Sequence, residues 1–90
     1  MYYTYILYSE QLGKFYIGST NDLTNRMEWH NVKGHGFTNR GRPWDLKYFE
    51  EYETREEAKT REQQLKNWKN AERIRTLIEK GTRGRGVLPT

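Results

Sequence analysis

The stretch YYTYILYSEQLGKFYIGS, residues 2–19, decides the fold of this 90-residue chain. Residues 2–8 and 14–19 are rich in aromatic and β-branched side chains, which favour strands. Between them, Gly13 supplies the backbone freedom that a tight turn needs. The stretch therefore predicts a β-hairpin at the start of the chain.

A helix is predicted to follow the hairpin. Thr20 or Asn21 is placed to cap it, and Asp22 in its first turn suits the positive end of the helix dipole. The helix should end near Asn31, since the glycine-containing segment 33–44 has the composition of a loop.

The second half of the chain predicts one more strand and two more helices. The strand is expected over residues 45–52. Thr54 and Glu57 stand at the spacing of a capping box, which begins a helix. A short last helix should run from about Asn70 to a stop at Gly81. The order β-β-α-β-α-α predicts a small α+β domain with a three-stranded sheet flanked by helices.

Length and composition indicate one small basic domain. Residues 1–80 are expected to form it, followed by a flexible basic tail over residues 81–90. The net charge of +4 favours a polyanionic partner such as nucleic acid. The chain has no cysteine, which excludes disulfides, thiolate metal sites and cysteine nucleophiles. With no signal peptide or membrane-length apolar run visible, we expect a cytoplasmic protein without membrane contact.

The charges are unevenly distributed along the chain. Basic residues dominate the loop segment, and Phe37 there is suited to stack on an unpaired base. Trp44, just before a strand, fits the core better. The predicted nucleic-acid contacts are Lys33, His35, Phe37, Arg40, Arg42 and Lys66. Glutamates dominate residues 50–57, which leaves open a weaker alternative, a protein-interaction adaptor that uses this acidic edge.

Two tyrosines and one helix carry candidate chemistry. If the hairpin strands pair, Tyr5 and Tyr16 lie on the same face, and phenols are good hydrogen-bond donors to phosphate oxygens. Arg26 and His30 are i and i+4 on a helix, so they can meet one ligand, the guanidinium binding phosphate and the imidazole taking a proton. Taken alone, the two patterns are better explained by ordinary strand tyrosines and by a solvated helix arginine with a histidine near the helix end.

Glu62 is the candidate metal ligand. It lies among core-facing positions of the second predicted helix, so its carboxylate needs a partner. One carboxylate with waters and substrate phosphate is an ordinary Mg²⁺ site. The structural alternative is an i,i+4 pair with Lys66.

Taken together, these residues resemble the GIY-YIG endonuclease superfamily over roughly residues 2–80. Of the first motif only the final tyrosine is present, in Tyr3–Tyr5, whereas Tyr16–Gly18 matches the second motif completely. The segment Arg26–His30 resembles the Arg-x-x-x-His helix, and Arg61–Lys66 the helix with the metal-binding glutamate. The chain is most similar to small stand-alone bacterial members related to the N-terminal cutting domain of the excision-repair nuclease subunit.

The resemblance implies a metal-dependent DNA endonuclease, in a DNA-repair setting. By that resemblance Glu62 holds one Mg²⁺ or Mn²⁺ ion on the scissile phosphate. Tyr5 positions or deprotonates the attacking water, with His30 as proton acceptor, and Arg26 and Tyr16 hold the non-bridging oxygens. Because no recognition code is visible, a protein partner is one possible source of specificity.

The chain departs from the family pattern at two places. Many members carry a basic residue directly after the second motif, where this chain has Ser19. A late asparagine that shapes the site elsewhere has no clear counterpart, with Asn67 and Asn70 only nearby. These departures leave a second reading open, a catalytically weak or inactive nucleic-acid-binding module of the same fold.

Overall fold

The computed structural model describes residues 1–33 and 40–84. Its strands form one antiparallel sheet in the order β2-β1-β3: β1 (Tyr2–Ser9), β2 (Lys14–Thr20) and β3 (Trp44–Tyr52). Its helices are α1 (Leu23–Glu28), which continues as a π-helical turn over Trp29–Lys33, α2 (Arg55–Trp68) and α3 (Ala71–Gly84). The predicted α+β class and the element order are confirmed.

The hairpin closes as its sequence predicts. Gly13 has a φ of 64°, a left-handed conformation that glycine adopts without strain, and its N–H donates to the Ser9 carbonyl at 2.8 Å. The Ser9 hydroxyl accepts a second bond, from the Leu12 N–H at 3.1 Å. This turn sets a register in which Tyr5 stands opposite Gly18.

Helices cover both faces of the sheet, so the central strand β1 is buried on both sides. The face toward α1 holds one cluster: Tyr5, Leu7, Leu23 and Trp44. The face toward α2 and α3 holds the other: Ile6, Tyr48, Leu65 and Ile74. Alternate residues of β1 enter alternate clusters, as the pleat requires. The core position predicted for Trp44 is confirmed.

The cap of α1 differs from the prediction. Asp22, rather than Thr20 or Asn21, is the N-cap, and its Oδ1 accepts from the Asn25 N–H at 3.0 Å. The Thr20 hydroxyl lies before the helix and accepts a hydrogen bond from the Asp22 N–H at 3.1 Å. A carboxylate at the N-cap also suits the helix dipole.

The predicted capping box of α2 is confirmed. The Thr54 hydroxyl accepts from the Glu57 N–H at 3.2 Å, and the Glu57 carboxylate accepts from the Thr54 N–H at 3.3 Å. Lys69, with a φ of 49°, ends the helix. Asn70 then caps α3, where its side-chain oxygen accepts from the Arg73 N–H at 3.2 Å.

The stop predicted at Gly81 is wrong, because α3 continues to Gly84. Gly81 is buried, and a Cβ at this position would collide with the ring of Tyr48 on β3. The glycine thus lets the helix approach the sheet instead of ending it. Residues 85–90 of the predicted flexible tail lie outside the described residues, so that tail stays a prediction.

The acidic edge is also smaller than expected, because Glu50 is buried rather than displayed. Its carboxylate accepts hydrogen bonds from the hydroxyls of Tyr48 and Tyr52 and from the Arg61 guanidinium at 3.0 Å. Burial alone would raise the pKa of Glu50, but these bonds lower it. No helix in residues 1–33 and 40–84 is long and apolar enough to span a membrane.

Candidate active site

Tyr5, Tyr16 and His30 form a compact group between the hairpin and the π-helical turn. The ring centroids of Tyr5 and Tyr16 lie 6.5 Å apart, and the Tyr16 ring meets the edge of His30 at 4.8 Å. The Tyr5 hydroxyl is hydrogen-bonded to His30 Nε2 at 2.9 Å. We call these three residues the tyrosine–histidine group. The sheet face predicted for the two phenols is thus observed.

Gly18 makes room for this group. A Cβ added there would lie 2.5 Å from the Tyr5 hydroxyl oxygen and 3.2 Å from Tyr16 Cε1. Only a residue without a side chain allows the Tyr5 ring to cross the opposite strand at this height. The close approach of the Tyr5 ring therefore explains why the second motif ends in a glycine.

Burial sets the protonation states of the group. Tyr5 is 2% exposed and His30 is wholly buried. Burial is the main cause that raises the pKa of Tyr5, aided by Tyr16 and Glu62 and opposed by Arg26. Burial, followed by the charge of Arg26, lowers the pKa of His30 to about 4. At neutral pH the pair is a phenol and a neutral imidazole.

The second ring nitrogen of His30, Nδ1, is buried without a hydrogen-bond partner among the described residues. For Nε2 to accept a proton from Tyr5, the proton of the neutral ring must sit on Nδ1. Such an unpaired buried group is costly and uncommon, and strain of this kind collects at functional sites. The main-chain carbonyl of His30 is held by Arg42 Nε at 3.0 Å.

Arg26 and His30 differ in exposure although they are i and i+4: Arg26 is partly exposed and His30 is buried. Its guanidinium stacks over the Trp29 ring, 5.3 Å from the centroid, and it lines an open cleft. His30 has no exposed surface. The two side chains therefore do not reach one surface ligand, and any role of His30 in chemistry passes through Tyr5.

Glu62 lies on the other face of the sheet, where α2 packs beside β2. Its side chain is 19% exposed and accepts from Lys66 Nζ and from the Ser19 hydroxyl, each at 2.6 Å. Burial raises the pKa of Glu62, but the bonds from Lys66 and Ser19 and the charge of Lys59 lower it overall. No hydrogen bond within the described residues joins Glu62 to the tyrosine–histidine group, although its charge acts on Tyr5. The candidate active site therefore reaches around the β2 edge of the sheet, with the tyrosine–histidine group on one face and Glu62 on the other.

The predicted nucleic-acid contacts differ in whether the structure gives them partners within the protein. Arg40 is exposed, whereas Arg42 is engaged with the His30 carbonyl and Lys66 with Glu62. His35 and Phe37 lie outside the described residues, as does the side chain of Lys33. Among the predicted contacts whose side chains the structure describes, Arg40 is exposed and makes no hydrogen bond or ion pair with the described residues.

The two departures from the family pattern have clear structural counterparts. Ser19 is a partner of Glu62, so the position after the second motif contacts the carboxylate directly. Asn67 accepts from Gln63 at 3.0 Å and Asn70 caps α3, so neither asparagine reaches the site. The described part of the chain thus offers no late asparagine for the site.

Two further groups near the site were missed by sequence reasoning. Asn31 joins the first residue of β3 to the π-helical turn, because its amide binds both the N–H and the carbonyl of Trp44. Arg55 and Lys59 line the cleft that contains Arg26. Their spacing to Glu62, seven and three residues along one helix, was the available signal.

Comparison with known proteins gives a consistent result. The sequence model described as "GIY-YIG catalytic domain" matches residues 1–75. A UPF0213 protein of Bacillus pumilus is 40% identical over 68 residues, covering 74% of this chain and 68% of that protein. A UPF0213 protein of Staphylococcus aureus is 37% identical over 70 residues, covering 76% and 84%. The solution NMR structure of a UPF0213 protein from Bacillus halodurans superposes with a TM-score of 0.55 at 29% identity, covering 90% of this chain and 87% of the other.

Proposed function

Because this chain belongs to the GIY-YIG catalytic domain family, we propose that it is an endonuclease that hydrolyses phosphodiester bonds in DNA with one Mg²⁺ or Mn²⁺ ion. Membership of this family supports a nuclease-type function and a nucleic-acid partner. The observation that carries the proposal is the hydrogen bond between Tyr5 and His30 beside the charges of Arg26 and Glu62. It joins a proton donor and a proton acceptor; the charge of Arg26 acts on both, and the charge of Glu62 acts on Tyr5.

Tyr5 and His30 would handle the proton of the attacking water. The Tyr5 oxygen takes a proton from water while its own proton passes to His30 Nε2 along the 2.9 Å bond. Burial keeps His30 neutral at pH 7 and therefore able to accept that proton. Since Tyr5 is almost wholly enclosed, water reaches it from the side of Tyr16, whose ring is only half-buried.

Arg26 and Tyr16 would hold the phosphate. Both present hydrogen-bond donors, and the guanidinium carries the fixed charge that suits phosphate oxygens. Negative charge grows on the non-bridging oxygens in the transition state, so donors placed there in advance accelerate the reaction.

The residues present fit a magnesium ion. Its lowered pKa keeps Glu62 a carboxylate at neutral pH, and Lys66, which occupies one of its oxygens, is 46% exposed and free to swing into solvent. The described residues contain no cluster of three or more His, Cys, Asp or Glu, but Mg²⁺ completes its shell with water and substrate phosphate. Glu62 would hold the ion, with the Ser19 hydroxyl beside it. When bound, the ion supplies positive charge for the leaving oxygen.

Cleavage of plasmid, duplex and single-stranded DNA, with RNA in parallel, tests the proposal. We expect cutting by the wild type with Mg²⁺ or Mn²⁺, none with a chelator, and none by Glu62→Gln or Tyr5→Phe. Glu79→Gln removes an exposed carboxylate from α3, and Tyr8→Phe removes a hydroxyl from the same strand as Tyr5. Both control variants should cut at the wild-type rate. Cutting that persists in Glu62→Gln would trace to a contaminant and end the assignment.

A second function is favoured by the two bonds to Glu62. Ser19 and Lys66 already satisfy both of its oxygens, which suits a module that binds nucleic acid and cuts weakly or not at all. Salt-sensitive DNA binding without cutting in any divalent metal would favour this module over the nuclease. A Lys66→Gln variant that cuts faster than the wild type would instead show that the lysine restrains an intact site.

We extend the proposal to a role in DNA repair, with a protein partner that supplies specificity. Its support is the resemblance of the whole chain to small stand-alone family members that are related to the cutting domain of the excision-repair nuclease subunit. A cytoplasmic location is proposed with it.

A further inference from the structure

The open cleft that Arg26 lines extends from the candidate active site between the ends of β1 and β2, α1 and α2. Its volume is about 210 Å³, equal to about seven waters at about 30 Å³ each. The described residues that line it are Tyr2, Ser19, Thr20, Asn21, Arg26, Arg55, Ala58 and Lys59. Ser19 belongs to both places, because its hydroxyl also binds Glu62. We call this space the cationic cleft.

The charge of the cationic cleft is one-sided. Arg26, Arg55 and Lys59 contribute three cations, and no carboxylate is among its described lining residues. Within residues 1–33 and 40–84, none of the three forms an ion pair, unlike Arg61, Lys66 and Arg75. Two of the cations are held in place, since Arg26 stacks on Trp29 and Arg55 lies 5.9 Å from the centroid of the Tyr2 ring. Three close like charges repel one another, so the cleft favours an anion.

The surrounding groups suit a phosphate in particular. Ser19, Thr20 and Asn21 line the same space as the cations. The Ser19 hydroxyl also donates to Glu62, and the Thr20 hydroxyl also accepts from the Asp22 N–H. Guanidinium, ammonium, hydroxyl and amide groups are the side chains that contact phosphate oxygens in protein–DNA complexes. The lining is polar and offers little apolar area for a base.

The position of the cleft relates it to Glu62. Arg55 and Lys59 precede Glu62 on α2 by seven and three residues, which is about 10 and about 4.5 Å along the helix axis. A DNA strand advances about 3.4 Å per nucleotide, so this span corresponds to roughly one to three nucleotides. An anion in the cleft would therefore lie a short distance along the strand from a phosphate at Glu62.

We propose that the cationic cleft binds a backbone phosphate of the DNA substrate adjacent to the scissile phosphate, with Arg55 and Lys59 as its main ligands. This inference rests on the proposed function for the choice of DNA. It adds a binding site that fixes the strand along α2, and it assigns a use to cations that form no ion pair within the described residues.

Binding measured without divalent metal tests the proposal, because cleavage then plays no part. We compare wild type, Arg55→Gln/Lys59→Gln and Lys47→Gln/Lys80→Gln on a short labelled duplex between about 50 and 200 mM salt. The control pair removes the same charge from exposed positions on β3 and α3. The cleft variant should raise Kd by about tenfold and lower the salt slope by about one, and the control should change Kd less than about twofold.

The 5′ end of the DNA distinguishes a backbone phosphate from a terminal one. We expect the same loss for duplexes with and without 5′-phosphates. A loss confined to the phosphorylated duplex would mean a terminal-phosphate pocket and overturn the proposal. Equal losses in the two double variants would reduce the effect to net charge and overturn it as well.

Cleavage by the wild type, measured in parallel, separates this inference from the proposed function. If the wild type cuts DNA but the cleft variant binds like the control, the cleft proposal fails and the nuclease stands. If the wild type never cuts DNA but only the cleft variant loses affinity for DNA, the nuclease proposal is wrong and the cationic cleft remains a phosphate-binding site.

Discussion

Replacing Gly18 with alanine should break the Tyr5–His30 hydrogen bond without removing any polar atom from the tyrosine–histidine group. The new Cβ would lie 2.5 Å from the Tyr5 hydroxyl oxygen and 2.7 Å from its Cζ. These separations are far below carbon contact distances of about 3.5–4.0 Å, so the ring must move by roughly 1 Å. Tyr5 and the wholly buried His30 leave no space for that movement without repacking.

The size of the effect follows from two costs. Overpacking a buried site costs about 1–3 kcal/mol, and loss of the Tyr5–His30 hydrogen bond adds about 1 kcal/mol. The sum, about 2–4 kcal/mol, should lower Tm by at least about 8 °C for a chain of this size. Displacement of a reacting group by about 1 Å should lower the cleavage rate by about 100-fold.

Thermal unfolding and plasmid cleavage, both run on folded protein well below Tm, check these values. Gly13→Ala is the matched control, since its Cβ meets nothing within 4 Å and only the left-handed φ of 64° is penalised. It should lose about 1–2 kcal/mol and keep its cleavage rate. In the Gly18→Ala background, Tyr5→Phe should cost less than in the wild type, because part of the collision disappears. A Gly18→Ala protein with wild-type Tm and rate would refute the close-approach argument.

Three further predictions concern stability. The pKa of a histidine in the unfolded chain is about 6.5, whereas the pKa of His30 in the fold is about 4. The free energy of unfolding should therefore be highest above pH 6.5 and fall by up to roughly 3 kcal/mol as the pH drops to 4. A free energy of unfolding in urea that stays constant over that range would contradict the burial of a neutral imidazole. Arg61→Ala leaves the buried Glu50 carboxylate with fewer donors and should cost about 1–3 kcal/mol in urea unfolding, against less than about 1 kcal/mol for Arg75→Ala in an exposed pair. Thr54→Ala should cost about 1 kcal/mol through loss of the α2 cap, and Thr54→Ser should retain most of it; equal losses in the two variants would argue against the capping bond.

Local patterns made much of the fold predictable. The hairpin, the capping box at Thr54 and the strand after Trp44 depend on neighbouring residues, and all three are observed. Apart from the cap of α1, the errors occurred where a residue distant in sequence determines the structure. Gly81 has the composition of a helix stop, but contact with Tyr48 makes it a packing position. In the sequence Glu50 belongs to a run of glutamates typical of a surface, but in the fold Arg61 and two tyrosines bind its buried carboxylate.

The sequence by itself determined the order of the elements, the basic charge and the ordered set of candidate residues, because strand, cap and motif signals lie within a few positions of one another. Only the tertiary structure decided which of these residues meet. The Tyr5–His30 and Ser19–Glu62 bonds join residues 25 and 43 positions apart. Their protonation states depend on burial between separate elements, and desolvation has no local signature in a sequence. For the same reason the cationic cleft, which is assembled from β1, β2, α1 and α2, is visible only in the folded chain.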